Sequence, residues 1–171
     1  MQEEVLDLVN DKDEIIGTIA RSQSHRLTTE KLGFTRASDM FIRNTEGKLW
    51  IPKRTAHKTI APNGLDYSCG GHVTPGDDYD STMIKEIEEE LNFTPDPGKL
   101  HYITKMPPTT TPYFHAIYVY DSDETPNYNP NDFVSSQWMT PKELLATLDN
   151  GALAKTSIKE TVLKLLELGK I

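Results

Sequence analysis

The segment KEIEEEL, residues 85–91, places four glutamates in five positions: Glu86, Glu88, Glu89 and Glu90. On a helix, which advances about 100° per residue, Glu86, Glu89 and Glu90 stand at i, i+3 and i+4 and share one arc. Glu88 points elsewhere. Ile84, Ile87 and Leu91 form a neighbouring apolar stripe, expected to face a core and fix the acidic arc beside it. Such neighbours cost a helix roughly 0.2–0.5 kcal/mol per like-charged pair in the open. Near a protein surface, at about 5.5 Å and an effective dielectric of about 20, the repulsion reaches ~3 kcal/mol. Two readings follow. The run is a solvated face, the usual role of a charge cluster, or three carboxylates converge on something positive.

The elements around the acids help to choose. Upstream lies SCGGHVTPGDDYDSTM, which reads as strand, tight loop and helix start. Gly70 and Gly71 let backbone come close to a ligand and turn carbonyls or amides inward. Asp77, Asp78 and Asp80 suit a helix amino terminus, where side chains cap free N–H groups and the dipole favours negative charge. Asn92 follows as a left-handed closing residue, so the helix is expected from about Asp80 to Leu91. Elsewhere, VLDLVN and IIGTIAR flank DKDE as a hairpin, and MFIRNTEGKLWIP is a second hairpin around NTEG. A polar, helical segment is expected around SQSHRLTTEKLG. YFHAIYVY, residues 113–120, reads as a buried strand. Thr140 with Glu143, and Ser157 with Glu160, predict capping boxes for two further helices, with Pro141 in the first turn of one and Gly151 past its end. The last helix is expected to pack Ile158, Val162, Leu165 and Leu166 on one face.

Composition sets the outer bounds. With 171 residues, 36% hydrophobic and 26% charged, the chain fits one α/β domain over residues 1–171, built around one sheet system. The acidic amino terminus MQEEVLDLVN predicts neither a signal peptide nor a membrane span, and hence a cytoplasmic protein. One cysteine, Cys69, excludes an internal disulfide and a cysteine-rich zinc site. A net charge of −8 argues against a nucleic-acid polymer as partner. A phosphate ligand would then need local cations or a bridging metal ion. Lys53, Arg54 and Lys58 form one basic group, which surface solubility would also explain.

The segment Gly71–Phe93 resembles the Nudix box, G-x5-E-x7-R-E-U-x-E-E-x-G-U, where U is a bulky aliphatic residue. Gly71, Glu86, Ile87, Glu89 and Glu90 match it, and Phe93 matches loosely. Asp77 stands for the first glutamate, Lys85 for the arginine and Asn92 for the glycine. Lysine lacks the planar fork of arginine, and aspartate reaches less far than glutamate. Further segments, VNDKDEIIGTIAR, RNTEGKLWIPKR and NPNDFVSSQWMTPKELL, are similar to the isopentenyl-diphosphate-isomerase-like branch of the superfamily, which holds both isomerases and hydrolases. The resemblance implies a Nudix fold, a mixed β-sheet between α-helices, here with an amino-terminal β-hairpin extension.

That resemblance also implies chemistry. It favours hydrolase over isomerase: the isomerase's catalytic cysteine position is Gly70 here, Cys69 is one residue out of register, and MPPTTTPYFHAIYVY carries no Glu-x-Glu pair. His72 matches a metal-binding histidine of the isomerases, but His25 and His57 offer no persuasive partners. Nudix hydrolases cleave nucleoside diphosphates linked to another group, with Mg²⁺ or Mn²⁺. Glu86, Glu89 and Glu90, with a carbonyl of Gly70 or Gly71, would provide the incomplete oxygen shell that such ions accept. Glu86 or Glu89 would receive a proton from the attacking water, with Asp132 a weaker candidate. Lys85 would position Glu89, Lys53 and Arg54 would contact the outer phosphate, and Tyr67, Tyr113 and Phe114 are candidates to stack a base. A small diphosphate is thus the expected partner. Two alternatives are a Nudix-fold module that binds a diphosphate without cleaving it and an acidic helix serving a protein partner.

Overall fold

The computed structural model describes residues 3–171; Met1 and Gln2, at the head of the acidic amino terminus, lie outside the described residues. Strands β1 (Val5–Val9) and β2 (Ile15–Ala20) form a separate antiparallel hairpin, followed by a 3-10 turn at Arg21–Gln23 and a short helix α1 (His25–Thr29). The main sheet uses β3 (Thr35–Arg43), β4 (Leu49–Arg54), β5 (Cys69–His72), β6 (Leu100–Met106), β7 (Tyr113–Asp121) and β8 (Phe133–Met139), in the order β6-β7-β3-β4-β8 with β5 also on β3. The β3–β7 pair is parallel and the others antiparallel, so the sheet is mixed. Helix α2 (Tyr79–Leu91) covers one face, while α3 (Pro141–Asp149) and α4 (Ile158–Glu167) cover the other.

Strand alternation builds the two faces. On β3, Met40 and Ile42 pack with Met83, Ile87 and Leu91 of α2, whereas Phe41 packs with Leu144 of α3 and Ile158, Val162 and Leu165 of α4. Burial of each such large side chain contributes roughly 1.5–3 kcal/mol. The inward stripe of α2 runs through Met83 and not Ile84, which is 41% exposed. One position of helical phase, about 100°, separates the two; both neighbour Ile87, at i−4 and i−3, and packing against the sheet selects Met83. Leu166 is likewise turned outward, while Thr161 takes its place against the sheet.

Local signals explain most boundaries. In the NTEG turn, Asn44 Oδ1 accepts the Glu46 and Lys48 N–H groups, and Gly47 adopts φ +73°. Thr140 and Glu143 cap α3 reciprocally. Ser157 does not cap α4 as expected: its backbone is already helical, and its hydroxyl accepts from Tyr67 Oη at 3.0 Å instead. Glu160 turns away to accept from Thr109 and Thr110.

The site lies where β3 divides its partners. Ile42 and Arg43 pair with β4, but Ala37–Met40 pair with β5. The sheet opens between them, and β5 runs directly into the loop before α2. Among the described residues, no helix is long and apolar enough to cross a membrane.

Candidate active site

Helix α2 is fixed at both ends. Asp78 accepts the Ser81 N–H at 2.8 Å and Ser81 Oγ accepts the Asp78 N–H, a reciprocal cap. At the other end Asn92 adopts φ 56°, and Asn129 N–H donates to the Glu90 carbonyl at 2.7 Å. Carbonyls that a helix end leaves without partners are thereby bound by the loop before β8. Ser38 Oγ, on β3, donates to the Tyr79 carbonyl at 2.7 Å and ties the helix start to the sheet.

These contacts press the acids onto β5. Gly70 N–H donates to Glu90 Oε2 at 3.2 Å. A Cβ on Gly71 would stand 2.0 Å from Glu86 Oε1, and one on Gly70 would stand 2.3 Å from Asp39 Oδ1. Only glycine leaves room for the carboxylates at this strand. Burial first, then Glu89, pushes the Glu86 carboxyl up to about 7; burial first, then Asp66 and Glu86, pushes Glu90 up to about 8.

Glu86, Glu89, Glu90, Gly70 and Gly71 line one cleft of about 770 Å³, with Asp39, His72, Tyr113 and Asp132. Arg21, Arg54, Lys58 and Lys155 bring cations to the same space. A larger cleft of about 1060 Å³, lined by Phe93, Lys99 and Asp123 among others, contains none of these acids. A hard divalent cation suits the carboxylate oxygens and the carbonyls of β5. The glycine cradle and the two crowded acids fit that group. Among the described residues, no three His, Cys, Asp or Glu side chains stand together as a ready-made ligand set, so binding would draw the carboxylates inward.

Several expected residues are placed differently. Lys85 does not reach Glu89: its Nζ donates to both carboxylate oxygens of Asp77 at 2.7 Å, so the two residues that depart from the box at its acid and arginine positions pair with each other. Thr74 holds Asp77 from the loop at 2.7 Å, which presents both oxygens to the lysine. Lys53 is exposed and lies outside the cleft, because strand alternation on β4 turns its neighbour Arg54 inward. Arg54 is buried, donating to Asp66 and, at 2.8 Å, to the Ile60 carbonyl. Tyr67 is a core residue, with its ring 5.0 Å from that of Phe41. Phe114 is buried against Phe34, and only Tyr113 of the three aromatic candidates lines the cleft.

His72 lines the cleft, where burial pushes its imidazole down to about 4; His25 and His57 lie outside its lining. Asp132 is both a turn residue and a cleft residue, and accepts from Lys58. Cys69 is buried with α2, and burial followed by the neighbouring Glu90 and Glu86 pushes its thiol well above the usual range. A thiol held neutral is a poor nucleophile. Sequence reasoning missed Asp39, Lys155 and the amino-terminal contributors Glu4 and Arg21, none of which carries a spacing signal.

The family model for the NUDIX domain matches residues 33–160. A Nudix hydrolase of Deinococcus radiodurans is 39% identical over 164 residues, covering 95% of this chain and 94% of that protein. A crystal structure of a Deinococcus radiodurans protein is similar at a TM-score of 0.84 and 38% identity, covering 94% of this chain and 98% of that one. Over 97 residues, 57% of this chain and 45% of the relative, it is 30% identical to an isopentenyl-diphosphate Delta-isomerase of Rhizobium rhizogenes. The similarity spans the sheet, α2 and the cleft between them, and the chain belongs to the Nudix hydrolase family.

Proposed function

We propose that this Nudix-type pyrophosphohydrolase cleaves a nucleoside diphosphate or a related small diphosphate with Mg²⁺ or Mn²⁺ held by Glu86, Glu89 and Glu90 and a carbonyl of Gly70 or Gly71. The observation that carries this reading is the pair Glu86 and Glu90 of α2, pressed against the glycines of β5 with their proton affinity raised, in a cleft that also holds cations. Buried carboxylates that repel each other are poised to bind a cation, and the repulsion disappears when one binds. The ion supplies charge neutralisation and makes phosphorus more electrophilic.

The chain's own residues do the rest. Glu86 or Glu89 would take the proton of the attacking water, both carboxylates lining the cleft. Lys58 and Arg54 line the cleft and would face the diphosphate. Tyr113 adds an aromatic side chain to the same lining. A cytoplasmic setting belongs to the same proposal, supported by the single buried free thiol of Cys69.

A panel of nucleotides and small diphosphates, assayed with Mg²⁺, Mn²⁺ or chelator for released phosphate and nucleoside monophosphate, tests the reading. Metal-dependent release from the parent and its loss in Glu89→Gln are expected. Tight binding of a diphosphate without turnover would turn the assignment to a non-catalytic module.

A further inference from the structure

Lys155 lies in a cleft with other cations, yet its charge is bound differently. Arg54 donates to Asp66 and the Ile60 carbonyl, Lys58 to Asp132, and Arg21 to Glu4. Lys155 Nζ stands 3.2 Å from Asp66 Oδ1 and 3.8 Å from Asp39 Oδ1, and among the described residues it donates a hydrogen bond to neither. Both acids are occupied: Asp66 accepts the Tyr67 N–H and Arg54, while Asp39 Oδ2 is 3.1 Å from His115 Nδ1. The ammonium is thus held by ion pairs to these two acids and by the Tyr67 ring at 5.7 Å, and its three N–H donors exceed the single acceptor within 3.5 Å.

Its placement is built by the backbone. Leu65 N–H donates to the Leu153 carbonyl at 2.8 Å, and Lys155 N–H donates to the Leu65 carbonyl at 3.0 Å. These bonds clamp the α3–α4 loop beside the strand-like segment at Leu65 through a parallel bridge to Ala154. Gly64 permits the approach, since a Cβ there would meet the Leu153 oxygen at 3.0 Å. The Lys155 side chain remains 18% exposed, and that exposure is in the cleft.

A clamped loop delivers an ammonium with donors to spare into the cleft that holds the acids of α2. Resting on the diphosphate reading above, we propose that Lys155 is a substrate-binding residue whose Nζ donates to the phosphoryl oxygens of the diphosphate. Asp66 and Asp39 set the position of the ammonium, and the side chain forms part of the cleft lining. A compact ammonium suits this role, because it meets phosphate as a point charge without a fixed fork geometry.

The test uses the full chain with saturating Mn²⁺. KM, kcat and inhibition by inorganic pyrophosphate are measured for the parent, Lys155→Gln and Lys155→Arg, with Mn²⁺ affinity measured in parallel. Lys155→Gln should raise both KM and the pyrophosphate inhibition constant by about 10-fold or more, as expected for losing a charge-assisted contact, and Lys155→Arg should recover part of the loss. Mn²⁺ affinity should hold or improve, because a neighbouring positive charge is gone. Unchanged KM and inhibition constant in folded Lys155→Gln, or a parallel loss of Mn²⁺ affinity, overturn the proposal. If that variant does not fold, acetylation of Lys155 in the parent, followed by mass spectrometry, should be slowed by pyrophosphate with Mn²⁺; an unaltered rate overturns it equally. A parent that neither binds pyrophosphate nor cleaves any diphosphate refutes the diphosphate reading itself, a distinguishable result.

Discussion

Glu90→Gln removes a charge that the folded chain holds at a cost. The Glu90 carboxyl rises from 4.5 to about 8, chiefly through burial and then through Asp66 and Glu86. A carboxyl raised on folding favours the protonated native state, so its contribution is complete below pH 4.5 and is lost as pH climbs through about 8. At roughly 1.4 kcal/mol per pH unit, the full rise corresponds to about 5 kcal/mol; local relaxation and entry of water leave about 2–5 kcal/mol. For a chain of this size, each kcal/mol moves the melting temperature by about 2–4 °C. Glutamine keeps the shape and still accepts the Gly70 N–H. Melting in chelator across pH 5–9 should therefore show parent and variant close together at pH 5, and the variant higher by about 4–20 °C at pH 9. Added Mn²⁺ should raise the parent at pH 9 far more than the variant. A variant less stable than the parent at pH 9 in chelator, or a difference that does not depend on pH, would refute the idea that Glu90 is a crowded, cation-seeking acid.

Gly71→Ala places a Cβ 2.0 Å from Glu86 Oε1 and must displace that carboxylate. Calorimetric titration should show divalent-ion affinity reduced by about 10- to 100-fold, as for other losses of support around a metal site. Cys69→Ser should retain diphosphate hydrolysis, since the buried thiol is held neutral, while its stability falls by about 0.5–2 kcal/mol; loss of turnover in a folded, metal-binding variant would reopen the isomerase chemistry. The rate at low metal concentration should fall as pH drops through about 7, where protonation of Glu86 competes with the ion, and excess Mn²⁺ should move the fall to lower pH. A fall unaffected by metal concentration would assign the titration elsewhere.

What the sequence disclosed was mostly local. Helix α2 could be delimited because Asp78, Ser81 and Asn92 act within a few residues of its ends, and its acids could be grouped because Glu86, Glu89 and Glu90 share an arc whatever packs beside them. The β3–β4 hairpin was legible for the same reason, through Asn44 and Gly47. The phase of α2 was not: Met83 and Ile84 are both apolar, and only the sheet decides which one is buried. Partner choice was also hidden. Lys85 had Glu89 one turn away, but the loop before the helix offered both carboxylate oxygens of Asp77, held in place by Thr74. Lys155, Asp39 and Asp66 meet across distant parts of the chain, and a lone lysine in GALAKTS carries no periodicity that would announce it. Residues of the amino-terminal hairpin region, Glu4 and Arg21, join the cleft from outside the matched NUDIX segment, so no box spacing could point to them.

Turnover of a nucleoside diphosphate in ¹⁸O-labelled water, with and without a divalent ion, tests the central claim most directly. Among the described residues, no serine or cysteine lines the cleft, its one histidine, His72, is held to the Arg36 carbonyl at 3.3 Å, and Cys69 is a thiol buried beside it whose proton affinity is raised. A single displacement by water on phosphorus should therefore put label on a phosphoryl group of one product, only when Mg²⁺ or Mn²⁺ is present. Label confined to a carbon-bound hydroxyl, or full turnover in a strong chelator, would contradict the account.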